Sequence, residues 1–167
     1  MRIIDSMLTE LDQEAATTKR VLERVPEDKL AWKPHPKSMS LGELAWHIAE
    51  GPGAVATMVS TDCYELDPKS FDTRVPAKTA EIVEAFTTGL ATAKRILNEL
   101  DDATATRTWK LTMGGKELLS VPRIAFVRMV LLNHSYHHRG QLSVYLRLLD
   151  VPVPPIYGRS ADEDPFA

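Results

Sequence analysis

Apolar residues recur at helical spacing through most of the chain. Ile4, Leu8, Leu11, Ala15, Thr18 and Leu22 step by four, three, four, three and four with charges between them, which predicts an amphipathic helix of about six turns over residues 3–25. Pro26 stops it, and Pro34 and Pro36 keep the next stretch a loop. Ser40-Leu41-Gly42-Glu43 has the Ser-x-x-Glu form of a capping box, in which hydroxyl and carboxylate each accept from a free N–H at a helix start. A second helix therefore runs from there through Leu44, His47, Ile48, Val55 and Met58, with a kink or break expected at Gly51-Pro52-Gly53. The small Gly51 and Ala54 suggest a close helix approach at that point.

Residues 61–78 are polar and contain Pro68 and Pro76, the mark of a long connection crossing the molecule. Ile82, Phe86, Leu90, Ala93 and Leu97 form the stripe of a third helix ending at Asp101-Asp102. The period then changes: Trp109, Leu111 and Met113 alternate, followed by Gly114-Gly115 and Leu119, a pattern that fits a small β-hairpin. Ser120-Val121-Pro122 opens a fourth helix that extends to about Leu149, where Val151-Pro-Val-Pro-Pro cannot continue it. Four amphipathic helices with a long crossover predict an all-α fold, a four-helix bundle, as a single domain over 1–167 with an extended tail over 150–167.

The chain has 167 residues, enough for one sizeable core, and a net charge of −3, which argues against a nucleic-acid partner. The start, MRIIDSMLTELDQE, lacks an apolar stretch of signal-peptide length, and the longest greasy run, Ile124 to Leu132, is interrupted by Arg128 and far short of a bilayer span. The single Cys63 allows no internal disulfide. These features lead to the expectation of a cytoplasmic protein with no membrane contact. Trp32, Trp46 and Trp109 read as core or loop anchors.

Five histidines carry the candidate chemistry. The inward stripe of the last helix, traced as Val127, Leu131, His134, His138, Gln141 or Leu142, Tyr145 and Leu149, puts His134 and His138 one turn apart on one face. The inward row of the second helix, Leu41, Leu44, His47 or Ile48, Gly51 and Val55, puts His47 at its edge or on it. A lone core histidine is usually hydrogen-bonded, but two neutral imidazoles side by side in a low dielectric each need a partner, and a divalent cation satisfies both. His137 sits about 100° around the helix from His138, and His35 lies between two prolines.

The stretches Leu41-Gly-Glu-Leu-Ala-Trp-His-Ile-Ala-Glu50, Asn133-His-Ser-Tyr-His-His-Arg-Gly-Gln-Leu142, Trp32-Lys-Pro34 and Pro152-Val-Pro-Pro-Ile-Tyr157 resemble the DinB-like family of small bacterial metalloproteins over nearly the whole chain. The resemblance implies an up-down-down-up order of the four helices, a frequent homodimer, and a divalent metal held by one histidine of the second helix and two of the last. Those ligands map onto His47, His134 and His138, the three that the stripe selects.

Three neutral imidazoles leave a fourth position for water or substrate, a catalytic rather than a closed pattern. Members of this family and its relatives include metal-dependent transferases of low-molecular-weight thiols, a thiol-dependent isomerase and hydrolase-type proteins. The resemblance thus implies a small-molecule substrate; a metal-binding stress-response protein without turnover and a helical interaction module are the alternatives. Imidazole ligands do not choose among Zn, Ni, Fe and Mn. Glu50, Gln141 and Tyr145 are the polar residues near the proposed ligands, with Glu50 a candidate base and the other two candidates for orienting an imidazole or substrate. Arg123, Arg128, Arg139 and Arg147 make the last helix basic, a face that either solvates it or draws anions.

Overall fold

The structure is a computed structural model, and it describes residues 1–71 and 74–164. It is mostly helical, with a small three-stranded sheet. The long helices are α1 (Ile3–Leu22), α2 (Leu41–Val59) and α3 (Thr79–Asn98); a short α4 (Asp102–Thr106) follows. The last helix is unbroken helical backbone in three parts: an α turn Arg123–Phe126, a π stretch Val127–Asn133 and an α-helix His134–Leu148. The capping box at Ser40 forms, with Glu43 N–H donating to Ser40 Oγ at 3.1 Å and Ser40 N–H to Glu43 Oε2 at 2.6 Å.

Several elements differ from the sequence pattern. The aspartate pair does not close α3, which stops at Asn98; Asp101 instead caps α4 by accepting from Thr104 N–H at 2.7 Å. In place of the expected small hairpin there is a three-stranded unit: β2 (Thr108–Met113) and β3 (Lys116–Pro122) are antiparallel across Gly114-Gly115, and β1 (Cys63–Glu65) pairs with β2 in parallel. The region therefore holds a three-stranded sheet ordered β1-β2-β3, and the long connection supplies a strand as well as a crossing. Both glycines of the tight connection have positive φ, +58° and +74°, a region that L side chains rarely adopt. Trp109 of β2 is fully buried and donates its indole N–H to Met58 O at 3.2 Å, which fastens the sheet to the end of α2.

No break divides α2 at Pro52, which lies buried inside one continuous helix. Close packing accounts for the glycines there, but not at the residue expected. A Cβ on Gly53 would stand 3.0 Å from the Gly89 Cα of α3, whereas a Cβ on Gly51 would meet nothing within 4 Å. The backbones of α2 and α3 touch where two glycines coincide.

The buried side chains form two apolar clusters. One gathers Val21 and Leu22 of α1, Leu44 and Ile48 of α2, Ile82 and Phe86 of α3, and Leu142 and Leu146 of the last helix. The other gathers Ile4 and Leu11, Val55 and Val59, Ala93 and Leu97, and Val127 and Leu131 from the same four helices. From the order of these residues, α1 and the last helix run one way while α2 and α3 run the other.

The tail beyond the last helix is described as far as Asp164 and lies against the helices. Val153 is buried, Arg20 donates to Pro155 O at 3.0 Å, Arg24 pairs with Glu163 at 2.5 Å, and Arg147 pairs with Asp162.

The two glycine environments predict opposite outcomes. Gly53→Ala is expected to destabilise the protein by about 1–3 kcal/mol, because the added methyl group pushes apart two backbones that cannot yield easily. Gly51→Ala is expected to stabilise it by up to about 1 kcal/mol, since alanine is the better helix former and the space is open. Urea unfolding of both variants checks the difference in sign.

Candidate metal centre

His47 projects from α2 half-buried, while the last helix presents His134, exposed, and His138, only 9% exposed. The spacing of four residues stacks the latter two on one face, and their rings lie 4.3 Å apart, centroid to centroid. His47 Nε2 is 3.0 Å from His134 Nε2, which is 3.0 Å from His138 Nε2. One nitrogen from each of the three rings falls within 4.8 Å of the other two. Two bonds of about 2.0–2.1 Å to one tetrahedral ion would separate their nitrogens by roughly 3.3 Å, so this spacing fits a shared cation.

The protons do not fit as well without one. Gln141 Oε1, an acceptor, lies 2.7 Å from His138 Nδ1, which must then carry the N–H and leave its Nε2 with a bare lone pair. His134 Nε2 faces that lone pair and His47 Nε2 at the same short distance, and one hydrogen on it must serve two close contacts. A cation facing three lone pairs meets no such conflict.

Charge points the same way. Burial lowers the pKa of His47 to about 4, helped by the neighbouring His138 and His134. Burial likewise lowers the pKa of His134 and of His138, with Gln141 opposing the shift at His138. All three rings are therefore neutral at pH 7, the form that binds a metal.

The other residues singled out in the sequence are placed as follows. Gln141 orients His138. Tyr145 stands edge-on to Trp32 and donates its hydroxyl to Met39 O at 3.3 Å. Glu50 lines the groove between α2 and α3 with Trp46, Arg74 and Glu81; burial raises its pKa and a hydrogen bond from Trp46 opposes this. His137 is exposed with its ring 5.0 Å from that of His138, and His35 is exposed in its loop, accepting from Lys37 N–H at 3.2 Å.

The basic face of the last helix is bound up in internal contacts. Arg139 is 1% exposed: it pairs with Glu14 at 2.6 Å, donates to Thr18 Oγ1 at 3.0 Å and to the Tyr157 hydroxyl at 2.5 Å. Arg128 grips Glu10 with two hydrogen bonds of 2.7 Å, and Tyr136 donates to the same carboxylate at 2.8 Å. Arg123, 2% exposed, reaches Asp62, Thr61 O and Thr104 O. The row of arginines is the sequence signal of these clamps, but a basic helix face by itself does not distinguish internal ion pairs from a solvated or anion-drawing surface.

The DinB family model matches residues 2–164 of the chain. Among curated proteins, YrdA of Bacillus subtilis (strain 168) is 25% identical over 161 residues, covering 96% of this chain and 91% of that protein. Among solved structures, a DinB-like protein from Bacillus cereus ATCC 10987 superposes with a TM-score of 0.75 at 23% identity, covering 92% of this chain and 97% of that one. A second, the DinB-like protein YjoA of Bacillus subtilis, gives 0.69 at 21% identity, with 92% and 99% covered. These two likenesses concern the fold.

Two outcomes follow from the site's geometry and charge. The unfolded chain protonates its histidines near pH 6.5, whereas the folded, metal-free protein resists until lower pH, so the unfolded state binds more protons as pH falls. Urea midpoints of the metal-free protein should therefore drop as pH falls from about 6.5 toward about 4, and His47→Asn should flatten that dependence. Gln141→Leu should weaken metal affinity by about 10–100-fold without unfolding the protein, as measured by competition with a chelator.

Proposed function

The chain belongs to the DinB family, and we propose that it is a divalent-metal-dependent enzyme acting on small molecules, of the low-molecular-weight thiol S-transferase or hydrolase type. The observation that carries this reading is the convergence of His47, His134 and His138 with one of the three exposed. A structural metal site is normally closed by a fourth protein ligand; here three imidazoles and an exposed edge suit an ion that keeps a place for something else. Bound there, Zn, Ni, Fe or Mn would act as a Lewis acid that lets a thiol or water lose its proton near neutral pH.

The chain's own residues do the positioning. His138 is the ligand fixed most firmly, by burial and by Gln141; His47 and His134 complete the set from two different helices. Tyr145 donates its hydroxyl to Met39 O and Glu50 lies in the groove toward α3, so on this reading a proton released at the site would pass to solvent. On the same reading the four long helices form an up-down-down-up bundle in one domain over 1–167. The protein works in the cytoplasm; among the described residues no helix is long and apolar enough to cross a membrane. Val144 and Leu148, exposed on the last helix, supply apolar surface for a homodimer.

Elemental analysis of the untagged protein is expected to find about one divalent ion per chain, and His138→Ala should lose it while helical content by circular dichroism is retained. Metal-loaded wild type should consume thiols in the presence of small electrophiles, or hydrolyse small esters or amides, and the variant should lose at least about 100-fold in rate. Stoichiometric metal with no turnover across the thiol and ester panel would favour the non-catalytic stress-response role, and undiminished metal in the variant would remove the site altogether.

A further inference from the structure

A second concave site lies between α2 and α3. It is lined by the Trp46 indole, the small residues Ala85, Thr88 and Gly89, and the carboxylates Glu50, Glu81 and Glu84. The space is about 510 Å³ and opens broadly to solvent. The chain places a cation of its own here: the Arg74 guanidinium lies 4.5 Å over the Trp46 ring and pairs with Glu81. With Arg74 counted, three carboxylates still face one positive charge.

We propose that this groove binds a small organic cation, a guanidinium or alkylammonium compound of the polyamine class, with its charged end on the Trp46 face in the place Arg74 occupies. The indole face attracts a cation through its quadrupole, and the carboxylates reject neutral and anionic competitors. Arg74 is an exposed side chain whose ion pair with Glu81 is open to solvent, so a ligand with the same head group can displace it. From Glu81 to Gly89 the groove follows α3 for nine residues, eight helical rises or about 12 Å, long enough for a diamine or an aminoalkyl guanidine lying along it. The occupied aromatic face distinguishes this groove from an ordinary acidic surface: the fold itself shows a guanidinium seated on it.

The proposal is independent of the metal centre. Its test is isothermal titration of the full chain with agmatine at physiological salt, with 4-amino-1-butanol and neutral 1,4-butanediol as comparisons. Saturable binding is expected at one site per chain for agmatine, weaker for the amino alcohol and absent for the diol. Arg74→Ala should bind agmatine at least about threefold more tightly, because the internal competitor is gone, and Trp46→Leu should lose at least about tenfold. His138→Ala should bind agmatine as wild type does, which separates this site from the metal. Circular dichroism confirms that the variants fold; should Trp46→Leu fail to fold, the Arg74→Ala result and the Glu81→Gln and Glu84→Gln variants, each expected to weaken binding, decide the matter. No saturable binding to either wild type or Arg74→Ala, or equal binding with and without the indole, overturns the proposal.

Discussion

Three imidazole nitrogens aimed at one point hold together only if something positive lies among them or if the surrounding structure forces them close. Here two of the contacts are 3.0 Å, and the nitrogen shared by both can carry one proton at most. The rest of the molecule supplies the force. His47 comes from a helix that runs opposite to the helix carrying His134 and His138, so the site exists only while those two helices keep their relative height and rotation. The apolar clusters at either end of the helices provide this: Leu44 and Ile48 meet Leu142 and Leu146 in one, Val55 and Val59 meet Val127 and Leu131 in the other. A helix held at both ends by buried side chains cannot slide by a turn without exposing them.

The far side of the last helix is fixed by charge instead. Arg128 with Glu10 and Arg139 with Glu14 join it to α1, one turn apart on α1 and spanning the π stretch on the other partner. Arg139 is nearly inaccessible, and an uncompensated guanidinium there would be costly, so Glu14, Thr18 and Tyr157 serve as its necessary partners rather than as additions to a helix that would stand without them. Because Arg139 follows His138 directly, the rotation that seats the guanidinium against α1 also turns His138 toward α2. One helix thus presents a cation to one neighbour and imidazoles to another.

Periodicity made the helices legible. The stripes of α1 and α3 and the capping box of α2 are local, and each reports the burial it found. The parallel pairing of β1 was hidden because three residues carry little pattern and their partner lies about 47 positions away. The missing N–H of Pro52 is a local cost that predicts a kink or break; α2 nevertheless continues through it, because its buried packing along both clusters outweighs that cost. The π stretch was hidden too, since an extra residue in a turn leaves no mark in composition; beside the expected His138, burial also takes in Leu132 and Arg139, which lie off the strict three-four stripe, while His134 on that stripe is exposed. The histidine trio survived the π stretch because the two ligands of the last helix both lie beyond it and keep their mutual spacing of four.

The graded exposure of the three ligands bears on what the centre does. His138 is buried and hydrogen-bonded by Gln141, His47 is half-buried, and His134 faces solvent. An ion between them would lie at a boundary, with low-dielectric protein behind it and water in front. On the inner side the charge is poorly screened, which strengthens its pull on any anionic ligand that approaches. On the proposed catalytic reading that asymmetry has a use, whereas exchange through an open face would oppose retention in a storage or structural site. A site that must take up a small thiol or water, hold it as an anion and release a product needs both sides at once.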